Sequence, residues 1–243
     1  MIPLHDDNPT RITPYVTIGL IIACVLVFLW QLSLGAAVQR AVYSLGMIPA
    51  TLFGGRTLPD ELVVVPAWMT LFTSMFMHGG WMHLLGNMLY LWIFGNNVED
   101  AMGHVRFVVF YLLCGIAAAL TQALPDTASV IPMIGASGAI SGVLGAYALM
   151  YPHARVLVAI PIGIIITTLR VPAYYVLGFW FLVQLVSSAF SGNQQGGVAF
   201  AAHIGGFIAG MALIPLFKYR HIPFFAPPQP TETVFRQDYF DRD

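Results

Sequence analysis

A serine hydroxyl, two histidine rings and a carboxamide stand in an apolar chain at spacings that suit nucleophilic chemistry. Ser137 lies in the small-residue run Gly135-Ala136-Ser137-Gly138-Ala139-Ile140-Ser141-Gly142. A helix face of Gly, Ala and Ser lets a second helix approach backbone to backbone. His203 begins His203-x-x-Gly206-x-x-x-Gly210, which is again one helical face. Gly138-x-x-x-Gly142 and Ser141-x-x-x-Gly145 form the matching face around the serine. If the two faces meet, the His203 ring comes within hydrogen-bond reach of Ser137. A serine activated by an adjacent histidine is the minimal nucleophile and base. His83 and Asn87 are four apart and share a helix face, and His78 precedes them as a possible brace. A small-residue stripe alone is a packing device, and a single histidine in an apolar helix is more often a packing residue. The coincidence of several such groups at one depth is what points to chemistry.

The acid inventory limits the mechanism. The carboxylates are Asp6, Asp7, Asp60, Glu61, Glu99, Asp100, Asp126, Glu232, Asp238, Asp241 and Asp243. None falls within an apolar run near His203, so the buried aspartate that usually orients a catalytic histidine is missing. The expected unit is a Ser137–His203 dyad. His78 and His83 lack the His-Glu-x-x-His pattern of a zinc helix, and catalytic zinc needs about three protein ligands. No metal is expected. Cys24 and Cys114 sit in the middle of apolar runs and read as small packing residues.

The elements that must position these groups are membrane spans. The chain has 243 residues, 58% hydrophobic and 9% charged, against roughly 25% charged in soluble domains. A net charge of −1 gives no reason to expect nucleic acid. Six spans are expected: Ile12–Leu34, Trp81–Val98, Val105–Leu124, Ala136–Tyr151, Ala173–Phe190 and Val198–Phe217. The first is too long for the apolar region of a secretory signal, about 7–15 residues, and reads as an uncleaved helix. Glu99, Asp100 and Arg106 read as a polar turn between spans two and three. The connection over 35–80 is interrupted by Pro49, Gly54-Gly55, Pro59 and Pro66, yet carries Trp68-Met69-Thr70-Leu71-Phe72. It is expected to lie partly in the membrane interface. Val156–Thr168 is apolar but short and holds Pro161, which reads as interfacial or re-entrant. Ser191–Gly197 reads as a turn. Residues 1–11 form an N-terminal segment, 12–217 the membrane domain, and 218–243 a flexible tail.

Lysine and arginine collect on the cytoplasmic side of membrane proteins. Placing the N-terminus there puts Arg11, Arg106, Arg155, Arg170, Lys218 and Arg220 inside and leaves only Arg40 and Arg56 outside. Both termini are therefore expected to be cytoplasmic. Spans two, four and six then start from the outer face. Span four would reach only about 24 Å, against a hydrocarbon core of about 30 Å, so Ser137 at its start is submerged. His83, Asn87, Ser137 and His203 converge on one layer below the outer surface.

At these residues the chain resembles the rhomboid family of intramembrane serine proteases, in its prokaryotic six-span form. His78-Gly79-Gly80-Trp81-Met82-His83-Leu84-Leu85-Gly86-Asn87 looks like the family's His/His/Asn motif. Gly135-Ala136-Ser137-Gly138 looks like its Gly-x-Ser-Gly nucleophile motif. Ala202-His203-Ile204-Gly205-Gly206 through Gly210 looks like its Ala-His-x-x-Gly-x-x-x-Gly motif. The resemblance implies an all-α membrane protein, a six-helix bundle with a membrane-associated first loop. It implies Ser137 as nucleophile, His203 as general base, and His83, Asn87 and the Ser137 backbone N–H as the oxyanion hole. His78, Gly135, Gly138, Gly206 and Gly210 support the site. No cofactor is implied. The implied substrates are single-span transmembrane proteins, cut near the outer face of what would be a prokaryotic plasma membrane. Ser141 stands where some members place a tyrosine beneath the histidine, so the ring needs another support. The Trp-Arg pair of the first loop in some members is not evident. The rival readings are a catalytically inactive relative that binds transmembrane helices, and a small-molecule transporter. The first would lack Ser137 or His203, and the second usually shows internal repeats.

Overall fold

Backbone amides in lipid must be satisfied within their own segment, so apolar runs of this length fold as helices. The computed structural model describes residues 1–163, 165–190 and 199–227. It contains six principal helices: α1 (Tyr15–Ser33), α2 (Trp81–Met102), α3 (His104–Ala123), α4 (Ser137–Met150), α5 (Ala173–Phe190) and α6 (Phe200–Phe217). α1, α3 and α6 are each long and apolar enough to cross a membrane. α2 meets that test together with the short helices before it, from which it is bent by 81°. α4 and α5 are shorter apolar helices. The membrane bundle is all helical, as expected. The turn expected over Ser191–Gly197 and most of the tail (228–243) lie outside the described residues.

α4 is the centre of the bundle. Every residue from Gly138 to Tyr147 is buried. Its glycines allow this by removing the side chain wherever a neighbour comes close. A Cβ at Gly142 would collide with the Cys114 side chain of α3, and one at Gly138 would lie 2.6 Å from Ala118 Cβ. Toward α6 the contact is backbone on backbone: Cβ atoms at Gly206 and Gly210 would fall on the carbonyl oxygens of Gly138 and Gly142. The two glycine faces therefore meet as the spacing requires.

Two segments differ from expectation. Glu99 and Asp100 do not form a turn; α2 continues to Met102, and Gly103, at φ +80°, makes the reversal into α3. Glu99 is fully buried. Its carboxylate accepts hydrogen bonds from Val16 N (2.9 Å), Thr17 N (2.8 Å) and Thr17 Oγ1 (2.6 Å), and lies 2.6 Å from His104 Nδ1. α1 starts after Pro14 without a capping side chain of its own. Its unpaired first-turn amides are satisfied by this carboxylate from another helix.

The second difference is the stretch Val156–Thr168, read from sequence as interfacial or re-entrant. It belongs to a hairpin of β2 (Arg155–Ile162) and β3 (Ile165–Pro172), which joins α4 to α5. The N-terminal residues add β1 (Ile2–Asp6) antiparallel to β2, giving a sheet of order β1-β2-β3. The β-branched run on both sides of Gly163 favours strand over helix. Asp6 is buried on this sheet and accepts a 2.6 Å hydrogen bond from the Tyr147 hydroxyl of α4. Asp7 pairs with Arg170 of β3 at 3.3 Å. The sheet sits at the end of the bundle opposite Ser137.

The connection from α1 to α2 is a series of short helical turns that leaves Val63, Val64 and Trp68 exposed, as an interfacial loop would. Its inner edge is tied to the segment before α4. Met47 and Met133 exchange both backbone hydrogen bonds, at 3.0 and 2.8 Å, and Gly135 N donates to Ser74 O at 2.8 Å. This clamp fixes where α4 begins.

Candidate functional site

Ser137 is the first residue of α4. Its Oγ lies 2.8 Å from Nε2 of His203, which stands in the first turn of α6. α6 starts two residues later than the sequence suggested, so His203 is nearer the helix end than expected. Gln122 of α3 holds that end by accepting from Ala202 N at 3.2 Å. His203 is buried. As the first helical residue, Ser137 has a backbone N–H that finds no partner within its own helix.

The approach to Ser137 requires glycine at position 135. Gly135 has φ +128°, and a Cβ there would lie 2.8 Å from the His83 ring. His83 is thereby placed against the turn that precedes the serine. Its Nδ1 accepts from Gly79 N at 3.3 Å, so its proton resides on Nε2. Asn87, one turn further along α2, is buried, and its Nδ2 has no hydrogen-bond partner among the described residues. His78 lies outside α2. Gln31 of α1 pairs with its backbone in both directions, accepting from His78 N at 3.0 Å and donating to His78 O at 3.2 Å. The His78 ring sets Nδ1 3.2 Å from Phe76 O and packs edge-on against His83 at 5.2 Å. It packs on His83, and among the described residues it makes no hydrogen bond to Ser137 or His203.

A small cavity of about 20 Å³ adjoins Ser137, lined by Gly115, Ala118, Ala119, Gly138 and Ala202 among others. It has room for about one water molecule or a methyl-sized group.

Gln31 and Gln184 were not singled out in the sequence. Each is a buried amide on an apolar helix, and polar groups inside spans are costly and uncommon without a role. That signal was available. Gln184 of α5 lies with Oε1 2.7 Å from Nδ1 of His203. Trp180, one turn earlier, stands 5.9 Å from the ring, and Phe200 meets it edge-on at 6.4 Å. These three side chains surround the His203 ring, where Ser141 offers no ring of its own. Ser141 turns back on its own helix and donates to Ser137 O at 2.6 Å. Among the described residues no group of three or more His, Cys, Asp or Glu is arranged to hold a metal.

Comparison with known proteins converges on one family. The description Rhomboid domain matches residues 66–220. The chain is 32% identical over 191 residues to Rhomboid protein 1, mitochondrial, of Saccharomyces cerevisiae, covering 71% of this chain and 52% of that protein. It is 34% identical over 161 residues to Rhomboid protease GluP of Bacillus subtilis, covering 66% of this chain and 29% of that one. It is 25% identical over 213 residues to Rhomboid protease AarA of Providencia stuartii, covering 82% and 71%. The chain thus spans about half, or less, of the length of the first two relatives.

Proposed function

The chain belongs to the rhomboid family of integral membrane proteins, and from that premise we propose that it is an intramembrane serine endopeptidase. The observation that carries this reading is the 2.8 Å contact between Ser137 Oγ and His203 Nε2 at the mouth of a buried helix. His203 takes the hydroxyl proton as Ser137 attacks a substrate carbonyl, and returns it to the departing amine. Water then hydrolyses the acyl-enzyme by the same route. The oxyanion meets the Ser137 N–H, the His83 Nε2–H and the Asn87 amide. Donors already in place cost no reorganisation when charge develops. The Asn87 donor without a protein partner and the His83 tautomer set by Gly79 both support this assignment.

The substrate class follows from the setting. Helical amides are shielded by their own hydrogen bonds, so a transmembrane substrate must unwind to reach Ser137. Gly, Ala and other weak helix formers near the cleavage point lower that cost. The arginine distribution supports a cytoplasmic position for both termini, which would set Ser137 toward the outer face. An intact Ser137–His203 pair argues against an inactive helix-binding relative.

The test is co-expression with a panel of single-span membrane proteins, wild type against Ser137→Ala. Cleavage by the wild type alone is the expected result. Alanine suits the small-residue face, so the variant should fold normally. Cleavage retained by Ser137→Ala would overturn the reading.

A further inference from the structure

The Ser137–His203 pair works only if the imidazole presents a lone pair at Nε2. A neutral ring carries one proton, on either nitrogen. With the proton on Nε2 the ring would donate to Ser137 and could not accept its proton. Catalysis by a bare dyad therefore depends on something that chooses the tautomer. In soluble serine proteases a buried aspartate does so. Here the sequence has no carboxylate in a span near His203.

Gln184 is placed to make that choice through the two contacts of its amide. Its Nε2 lies 3.4 Å from the carbonyl oxygen of Trp180, one turn earlier on α5, and its Oε1 lies 2.7 Å from His203 Nδ1. A carbonyl oxygen can only accept. The NH2 end of the amide is the end that Trp180 O attracts, which turns the oxygen end to the ring; flipping the amide would bring two partial negative charges together at Trp180. With an oxygen at 2.7 Å, Nδ1 must be the donor. In that arrangement the proton is on Nδ1, and Nε2 faces the Ser137 hydroxyl with its lone pair. The backbone of α5 biases the amide, the amide biases the tautomer, and the tautomer makes Ser137 the donor.

We propose that Gln184 is the positioning residue of this site, holding His203 in the Nδ1–H tautomer in place of a buried carboxylate. The inference rests on the serine protease reading. Its chemistry suits the location. A second ionised group in an apolar bundle would be expensive, whereas a neutral amide orients the ring and adds no charge. After proton transfer the imidazolium keeps the same Nδ1–H bond, so no group has to reorganise between ground state and transition state. Trp180, from the same helix, packs beside the ring at 5.9 Å, tilted by 37°. α5 thus supplies both the orientation and the packing of the base.

The experiment uses the full chain in detergent micelles or liposomes. In 15N-histidine NMR of the wild type, the His203 ring, assigned by loss of its signals in His203→Ala, should show Nδ1 protonated and Nε2 bare. A wild-type ring protonated on Nε2 would overturn the proposal without any variant. Gln184→Leu keeps the size and suits an apolar helix. It should mix or invert the tautomer and lower kcat about 100- to 10,000-fold with KM little changed, the loss expected when a histidine base is held in the wrong form. Gln184→Glu keeps an acceptor at the same reach. It should restore the Nδ1–H tautomer and recover most of the lost kcat. A Gln184→Leu enzyme with wild-type kcat, or equal losses in both variants with the tautomer unchanged, would reduce Gln184 to a packing residue. Ser137→Ala and His203→Ala run beside them. If these cleave normally, the protease reading itself fails; if they are inactive while Gln184→Leu is not, only the role of Gln184 fails.

Discussion

Gly206→Ala sets local helix preference and packing against each other, and they predict opposite signs. In an isolated helix the change gains about 0.5–1 kcal/mol. At Gly206 the added carbon would fall on the carbonyl oxygen of Gly138, 3.0 Å from its carbonyl carbon and 3.3 Å from Ser141 Cβ. Carbon contacts settle at about 3.5–4.0 Å, so α4 and α6 must part by roughly 1 Å. Ser137 and His203 sit within one turn of this contact. Their 2.8 Å hydrogen bond would stretch to about 3.8 Å, beyond hydrogen-bond range. Misplacement of about 1 Å costs on the order of 100-fold in rate, and overpacking costs about 1–3 kcal/mol. Gly206→Ala should therefore lose about 100-fold in kcat/KM and melt at a lower temperature, although it removes no polar group. Gly19 on α1, with nothing within 4 Å of an added Cβ, is the control, and Gly19→Ala should be neutral or slightly stabilising. The assay is cleavage of a reconstituted single-span substrate, with thermal melting of the same samples. A Gly206→Ala enzyme as active and as stable as Gly19→Ala would refute the argument that backbone contact between α4 and α6 aligns the reacting pair.

Asn87→Ala should lower kcat by roughly 10- to 1,000-fold and change KM less, because the bond strengthens in the transition state; steady-state kinetics showing weaker binding at unchanged kcat would instead make Asn87 a docking residue. Glu99→Leu should lower the melting temperature sharply, since charge-assisted hydrogen bonds contribute about 1.5–3 kcal/mol each and three amide or hydroxyl donors on α1 would lose their acceptor. Burial pushes the Asp6 carboxyl up to about 7, against about 4 in the unfolded chain. The folded state then holds a proton that the unfolded chain has released, so stability is fullest below about pH 4 and falls as pH rises toward 7. Asp6→Asn should remove that part of the pH dependence of the melting temperature; an unchanged slope between pH 4 and 7 would show that Asp6 ionises freely in the fold.

Much of the site is local, and the sequence by itself determined it. The lengths of the apolar runs placed α1 to α6 within a few residues. The spacing of four put His83 and Asn87 on one face, and the Gly206/Gly210 and Gly138/Gly142 faces announced a close helix contact. These are relations along one helix, where periodicity carries the information. Tertiary structure decided what each buried polar group meets. Glu99 reads as a turn residue because it is charged; it is a helix interior residue because the bare N-terminus of α1, more than 80 positions earlier, needs an acceptor there. Val156–Thr168 is an apolar run of ambiguous period, and the pairing of β1 with β2 across some 150 residues favours strand. Gln184 is a single amide in a helix of aromatic and aliphatic side chains. Nothing along α5 tells which ring it will meet; that is set by the approach of α5 to α6. Hydrogen bonds between helices depend on the approach and rotation of both, and no spacing within one chain segment encodes that.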